Sequence, residues 1–399
     1  MLDSIVYAKK LVLPTSKANS IQTLQMAAAF SDLADQEGIR LFFHPGLRIA
    51  RNGLELKRYL AGLGIETGSA ASWLPLGARQ RGLYGLRFRF KVLTRLAAAK
   101  NPLFYTRDLG EAALIATARG LPFFRGRGIF LFEMHEILSK QRQAAEKKHW
   151  PGTRRQEQSI LEAIDGLVVT NPVLAEETRQ LFNYRKPVLV EPNCHSERVF
   201  RPVDLFSAEH PWPAADSGLR INLIYFGNIR ESKGVGELLK AMRLLPERFH
   251  LTVIGRGYPE YMADLEELRR KIPDEENRVR FTGFVPQADL HKICSSAHIS
   301  IIPQQKTGGF FSPLKLNESL ALGLPVSATP LKIFEHVAGL THTAPDCSAA
   351  GLAEAIAGLA ANPGLAEELR RRGLSAVKQY TWGKRARRIF EFAQNLTAE

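Results

Sequence analysis

The sequence predicts an α/β chain of two Rossmann-like, doubly wound domains facing each other across a cleft. Three observations carry this. Short apolar runs bounded by turn residues alternate with stretches of helical periodicity, the pattern of parallel strands covered on both faces. The alternation is interrupted at HPWPAADSG (210–218), an aperiodic stretch with two prolines that reads as a linker, and then starts afresh. A length of 399 residues, 45% hydrophobic and 24% charged, suits two soluble domains of ordinary size. The expected division is 1–205 and 206–382, with a last amphipathic helix, 383–396, packing back on the first domain.

Taken in order, SIVYAKKLVLP (4–14) reads as a strand and SIQTLQMAAAFSDLADQEG (20–38) as a helix, capped by Ser20 and stopped by Gly38. IRLFFHP (39–45) is a strand, LELKRYLAGLG (54–64) a helix, and 65–85 irregular. A helix follows over 86–99, a strand at PLFYTRD (102–108) and a helix at 109–119. RGIFLFEMHEI (127–137) is a strand that delivers His135 at its carboxyl end. Two polar helices, near 139–149 and 154–165, precede the strand GLVVTN (166–171), a helix at 172–183 and the strand KPVLVEPN (186–193).

The second series opens with the strand INLIYFGN (221–228) and the helix KGVGELLKAMRLLP (233–246). FHLTVIGRG (249–257), VRFTGF (279–284), ISIIP (299–303) and PVSAT (325–329) supply further strands. Helices fall at 261–273, 287–298, 314–322 and within 349–372. In such sheets ligands sit beyond the carboxyl ends of the strands, so the turns there deserve the closest reading.

Charge is uneven. The net charge is +14, and residues 1–200 hold 29 Lys and Arg against 18 Asp and Glu. The excess peaks in RQRGLYGLRFRFKVLTRLAAAK (79–100), with seven basic residues and no acid. Its interleaved aromatic and aliphatic side chains suit an anionic membrane surface, a phosphorylated acceptor or nucleic acid. A solvated basic helix with its apolar face on the core reads equally well. Cys194, Cys294 and Cys347 show no metal spacing, which points to a reducing compartment. Lys9 and Lys10 interrupt the first apolar run, and no stretch is long enough to span a membrane, so a cytoplasmic protein is expected.

Two turns carry chemistry. In TGGFFSPLKLNESLALGLPVSA (307–328), Gly308 and Gly309 can bring backbone close to a ligand, Ser312 can cap a helix, and Gly323 can stop it. A glycine loop feeding a capped helix offers free amide groups to an anion, though any capped helix looks similar. Lys315 in the first turn opposes the helix dipole unless an anion is bound there. Glu318 can take sugar or ribose hydroxyls, or pair with Lys315. In GNIRESKG (227–234), Gly227 ends a buried strand and Lys233 and Gly234 open the next helix. Arg230 and Lys233 are then mobile cations beside fixed backbone dipoles, the combination a diphosphate needs.

The ordered set YFGN…KGVGELLKAM, LTVIGRG, VRFTGFVPQADLHKICSSAHISIIP and SPLKLNESLALGLPVSAT resembles retaining glycosyltransferase family 4, of the GT-B fold, over about Ile221 to Gly339. Upstream, VEPNCHSERVF (190–200), FEMHEI (132–137) and PTSKANSIQ (14–22) resemble its Asn-Gly-Val-Asp…Phe, active-site histidine and acceptor-loop segments. The resemblance implies that Lys233 binds the donor diphosphate, that Glu318 holds the nucleotide ribose, and that His135 lies near the transferred sugar. It also implies that Gly227, Asn228, Arg230, Phe284, Lys315 and the backbone of Gly308, Gly309, Phe310 and Phe311 line the donor site. Lys17, Ala18 and Asn19 fall on the acceptor side. The chain departs from the family where Phe310 replaces the first glutamate of the Glu-x7-Glu pair, and where Asn228 follows Gly227 in place of arginine.

The expected reaction moves a sugar from a nucleotide-diphosphate sugar to the hydroxyl of a carbohydrate or lipid-linked acceptor, with retention, in cell-envelope glycan or glycolipid synthesis. Cations and helix dipoles serve the diphosphate, so no metal and no further cofactor are expected. Two other readings stay open. One is a nucleotide-sugar epimerase or another enzyme of the same fold. The other is a non-catalytic module that binds anionic lipid or nucleic acid through 79–100, with nucleic acid the disfavoured partner.

Overall fold

The computed structural model describes residues 1–11, 13, 18–44, 53–63, 65–66, 71–73, 84–122, 124, 126–147, 149–207, 209–213, 218–273, 277–305, 314–331, 337 and 339–397, and structural statements below refer to these. The chain divides into two compact units. Unit 1 comprises Met1–Asn193 and Trp382–Glu399; unit 2 comprises Cys194–Gly308 and Pro313–Thr381. The first change of unit therefore falls between Asn193 and Cys194, upstream of the proline-containing stretch.

Unit 1 is built on β1 (Ser4–Ala8), β2 (Arg40–His44), β3 (Ala71–Trp73), β4 (Pro102–Thr106), β5 (Ile129–Met134), β6 (Gly166–Val169) and β7 (Val188–Val190). These form a parallel sheet in the order β3-β2-β1-β4-β5-β6-β7. The strands β1, β4, β5 and β6 are buried throughout, as continuous apolar runs covered on both faces must be. The connecting helices are α1 (Ala18–Glu37), α2 (Gly53–Gly62), α3 (Tyr84–Ala98), α4 (Leu109–Arg119), α5 (Leu138–Ala144), α6 (Trp150–Ala163) and α7 (Pro172–Phe182).

β3 lies inside the stretch read from sequence as irregular. Three residues are too few to show a period. In α3, Phe88, Val92 and Leu96 recur every four residues and are buried in the core, while Phe90 is 67% exposed. The apolar set of this basic helix is thus split. Phe88 and Val92 hold the helix on the core, which is the second of the two readings given for this segment; residues 79–83 lie outside the described ones.

Unit 2 has β8 (Ile221–Phe226), β9 (Phe249–Ile254), β10 (Val279–Gly283), β11 (Ile299–Ile302), β12 (Val326–Ala328) and β13 (His342–Thr343), parallel in the order β10-β9-β8-β11-β12-β13. Its helices are α8 (Val235–Met242), α9 (Pro259–Arg270), α10 (Gln287–Cys294), α11 (Leu314–Ala321), α12 (Ala349–Ala360) and α13 (Pro363–Val377). The helix expected from 233 starts later. Glu231–Lys233 form a 3₁₀ turn, and Gly234, at φ +70°, is the left-handed hinge into α8. A Cβ on Gly234 would overlap the Pro303 carbonyl oxygen, so only glycine lets the turn lie against the end of β11.

The last helix, α14 (Trp382–Asn395), belongs to unit 1 and packs on α1. Its Arg385 is 1% exposed and lies 3.1 Å from Glu133 Oε1, whose side chain is equally buried. Arg385 also donates to the carbonyl oxygens of Pro192 and Glu191 at 3.1 and 3.3 Å. Two buried charges are tolerated because each satisfies the other and the remaining donors find acceptors. Arg385→Met leaves Glu133 without its cation in a dry site. We expect the full chain to lose about 3–5 kcal/mol of stability in urea unfolding, and parental stability would refute the pairing.

Candidate functional site

In unit 2 the neighbours β8 and β11 mark the place where the strand order reverses, and the site is built around it. Gly227 leaves β8 at φ +143°, and a Cβ there would lie 2.5 Å from Lys315 Cε. Gly255, leaving β9 at φ +147°, approaches so closely that a Cβ would overlap the Gly227 carbonyl oxygen. The bare turn after β8 is thereby pressed between the end of β9 and the Lys315 side chain.

Lys233 Nζ crosses the reversal point and donates to Gln304 Oε1, just beyond β11, at 3.2 Å. Gln304 is buried; its backbone oxygen accepts from Thr329 Oγ1 at 2.6 Å, and its side-chain nitrogen has no partner among the described residues. Burial, then the nearby cations Lys315 and Arg230, push the Lys233 ammonium down to about 8. Three cations thus share one corner.

α11 supplies Lys315 and Glu318 one turn apart. Lys315 Nζ lies 3.2 Å from Glu318 Oε2 and 4.8 Å from the centre of the Phe226 ring. Glu318 is buried, and burial raises its carboxyl above the usual range against the opposing pull of Lys315. Of the two alternatives read from sequence for Glu318, the one visible in the structure is the pairing with Lys315. Arg230 stacks over Tyr258 at 5.7 Å, and Arg256 over the exposed Phe284 at 5.2 Å. Asn228 contributes its backbone oxygen to Tyr225 Oη at 2.7 Å and exposes its side chain. Gly308, Gly309, Phe310 and Phe311 lie outside the described residues.

In unit 1, His135 stands just past β5, as expected. It sits in a network that sequence reasoning missed. Arg107 Nη2, after β4, lies 3.2 Å from His135 Nδ1 and 3.1 Å from Gln22 Oε1 on α1. His135 Nε2 makes a short contact with Glu133 Oε1, and Glu133 is held by Arg385. A guanidinium only donates, so Nδ1 must accept and Nε2 must carry the proton given to Glu133. Burial pushes the Glu133 carboxyl up, but Arg385 and His135 outweigh it and hold it at about 2. Burial and the Arg107 charge push His135 down to about 4.

The signal that could have found Glu133 is a carboxylate inside an otherwise apolar strand, two positions before a histidine. Of the acceptor-side candidates, Lys17 lies outside the described residues, Ala18 opens α1, and Asn19 is exposed in its first turn. Among the described residues no group of three His, Cys, Asp or Glu could hold a metal ion, and no helix is long and apolar enough to cross a membrane.

The unfolded chain binds a proton at His135 near pH 6.5, which the folded unit refuses until about pH 4. The unfolded state is then the more protonated across that interval, so stability should fall as pH drops through it. Nitrogen-15 spectra of the ring should show a protonated Nε2 and no titration above about pH 5; a midpoint near 6.5 would contradict the assignment.

Comparison with known proteins adds the following. Residues 220–362 match the family described as glycosyl transferases group 1. A phosphatidyl-myo-inositol mannosyltransferase of Mycobacterium leprae is 31% identical over 174 residues, 42% of this chain and 44% of that protein. The chain spans less than half the length of the curated relatives it matches. Sucrose-phosphate synthase from Thermosynechococcus elongatus superposes with a TM-score of 0.72 at 18% identity, covering 99% of both chains. Anabaena HepE, solved in complex with UDP, gives a TM-score of 0.70 at 14% identity, covering 99% of this chain and 100% of that one. These likenesses show the GT-B fold of two Rossmann-like units.

Proposed function

From a chain that carries a glycosyl transferases group 1 domain over residues 220–362, we infer a glycosyltransferase. It moves a sugar from a nucleoside-diphosphate sugar, held in unit 2, to an acceptor hydroxyl. The observation that carries this reading is the cluster of Lys233, Lys315 and Arg230 at the strand reversal, with the Gln304 amide nitrogen unpartnered among the described residues beside it. Cations gathered against bare glycine backbone match the needs of a diphosphate. The buried carboxylate of Glu318 suits the hydroxyls of a ribose. HepE, of the same fold, was solved with UDP, and this supports a nucleotide as a ligand here.

In the reaction, the bond from the anomeric carbon to the diphosphate oxygen breaks and a bond to the acceptor oxygen forms. Negative charge builds on the departing diphosphate, where Lys233 and Lys315 stabilise it more than in the bound donor. Retention by two carboxylates needs a pair about 5 Å apart on the sugar. The carboxylates in view, Glu318 and Glu133, are each held by a cation. The reading that fits is departure and attack on one face, with the acceptor proton passing to a leaving phosphate oxygen. A carbohydrate or lipid-linked acceptor in cell-envelope synthesis is the companion proposal, and the exposed Arg89 and Phe90 on α3 favour work at an anionic membrane surface.

Lys233→Ala should lower kcat/KM by roughly 10²-fold or more with the fold intact. Screening UDP-, GDP- and ADP-sugars for turnover supplies the substrate for that measurement, and near-parental activity would remove Lys233 from the diphosphate site. Titration calorimetry of the nucleoside diphosphate should show affinity falling above about pH 8 as the free enzyme's Lys233 loses its proton. That fall should vanish in Lys233→Ala. Glu318→Ala should weaken the same nucleotide, and unchanged affinity would leave Glu318 as a helix partner of Lys315 only.

A further inference from the structure

We propose that unit 1 binds a phosphate group at Arg107, so that the acceptor hydroxyl is presented by a phosphate-bearing molecule. The word acceptor rests on the transferase reading above; the anion site stands on unit 1 alone.

The argument starts from His135. Its Nδ1 accepts from Arg107 and its Nε2 donates to Glu133, so both ring nitrogens are used within the protein. The ring has no nitrogen left for a ligand. It serves instead as a strut, anchored through Glu133 to the buried Arg385, and what it props is the Arg107 guanidinium.

Arg107 is half-buried, yet the groups around it are neutral. Nη2 meets Gln22 Oε1 and His135 Nδ1, and the Tyr7 hydroxyl lies alongside. The other charge it feels is that of Arg385, which has the same sign. The nearby carboxylates are occupied. Asp108 takes Lys9 at 2.8 Å and caps α4, Glu111 takes Lys10 at 2.9 Å, and Glu133 takes Arg385. Among the described residues no carboxylate pairs with Arg107. Burial pushes its guanidinium down to about 10, so the charge is held at some cost.

The position is the one where a ligand is expected. β1 and β4 are neighbours at the point where the order of this sheet reverses, and Arg107 follows β4 directly. A guanidinium fork with no carboxylate partner among the described residues favours an oxyanion, and phosphate matches the fork.

The test is stabilisation of the full chain by sn-glycerol 3-phosphate, read as thermal shifts over a concentration series. Arg107→Gln should weaken it roughly tenfold or more, Arg107→Lys should weaken it less, and Lys233→Ala should leave it unchanged. Undiminished stabilisation of Arg107→Gln, or loss confined to Lys233→Ala, overturns the proposal. A readout on the parent protein guards against a variant that fails to fold. The ring nitrogen-15 signals of His135 should move on saturation with glycerol 3-phosphate, and fixed signals overturn the proposal as well. Sedimentation with phosphatidylglycerol vesicles, but not phosphatidylcholine ones, that Arg107→Gln loses would assign the phosphate to a lipid headgroup. Binding of glycerol 3-phosphate without sedimentation would assign it to a soluble ester. Intact phosphate binding in a protein that transfers no sugar would remove the transferase reading and leave this site standing.

Discussion

Three close approaches to glycine, two of them by backbone, set the geometry of unit 2. Gly255 presses on the Gly227 carbonyl, Gly227 faces the Lys315 stem, and Gly234 lies against the Pro303 carbonyl. None of these positions accepts a Cβ without displacement, and all three have positive φ. The ends of β8, β9 and β11 are therefore held at backbone contact. Lys233 sits in the 3₁₀ turn between two of these approaches, which is why a flexible side chain reaches Gln304 across the strand reversal. The charge of the site is mobile, but the frame that aims it is rigid.

Both units solve the same electrostatic problem with different means. A parallel sheet sends every strand into its connection at one edge, and cations have gathered there in each unit. In unit 2 they stand in a loose group, with Lys233 pushed down to about 8 by burial and then by the nearby Lys315 and Arg230. In unit 1 the charges are locked into a line that runs Arg385, Glu133, His135, Arg107, alternating buried ion pair and neutral ring. The first arrangement can adapt to a charge that grows as a bond breaks. The second holds a fixed charge in a fixed place.

Much of this was legible in the sequence, and the failures have physical reasons. Long apolar runs such as those of β5, β8 and β9 announce themselves, whereas β3 and β13, of three and two residues, are too short to carry a period. The position of His135 at a strand end followed from the run before it. Its role did not, because its orientation depends on Arg385, whose contact with Glu133 spans 252 positions of chain. Local pattern also misplaced the start of α8. KGVGELLK has helical spacing from Lys233, but the left-handed turn at Gly234 is dictated by Pro303, a neighbour only in the folded state. α3 shows the reverse case, where the four-residue recurrence of Phe88, Val92 and Leu96 already separates core from surface.

The Arg385–Glu133 contact also bears on how the chain is made. Synthesis proceeds from the amino end, and domains tend to form as their residues emerge. Unit 2 runs from Cys194 to Thr381 and can close once Thr381 has left the ribosome. Unit 1 supplies its sheet first but lacks the cation for Glu133 until α14 is translated. Until then its central carboxylate has to stay hydrated or take up a proton. The contact is thus completed only after α14 has been made, later than the rest of unit 1 and all of unit 2.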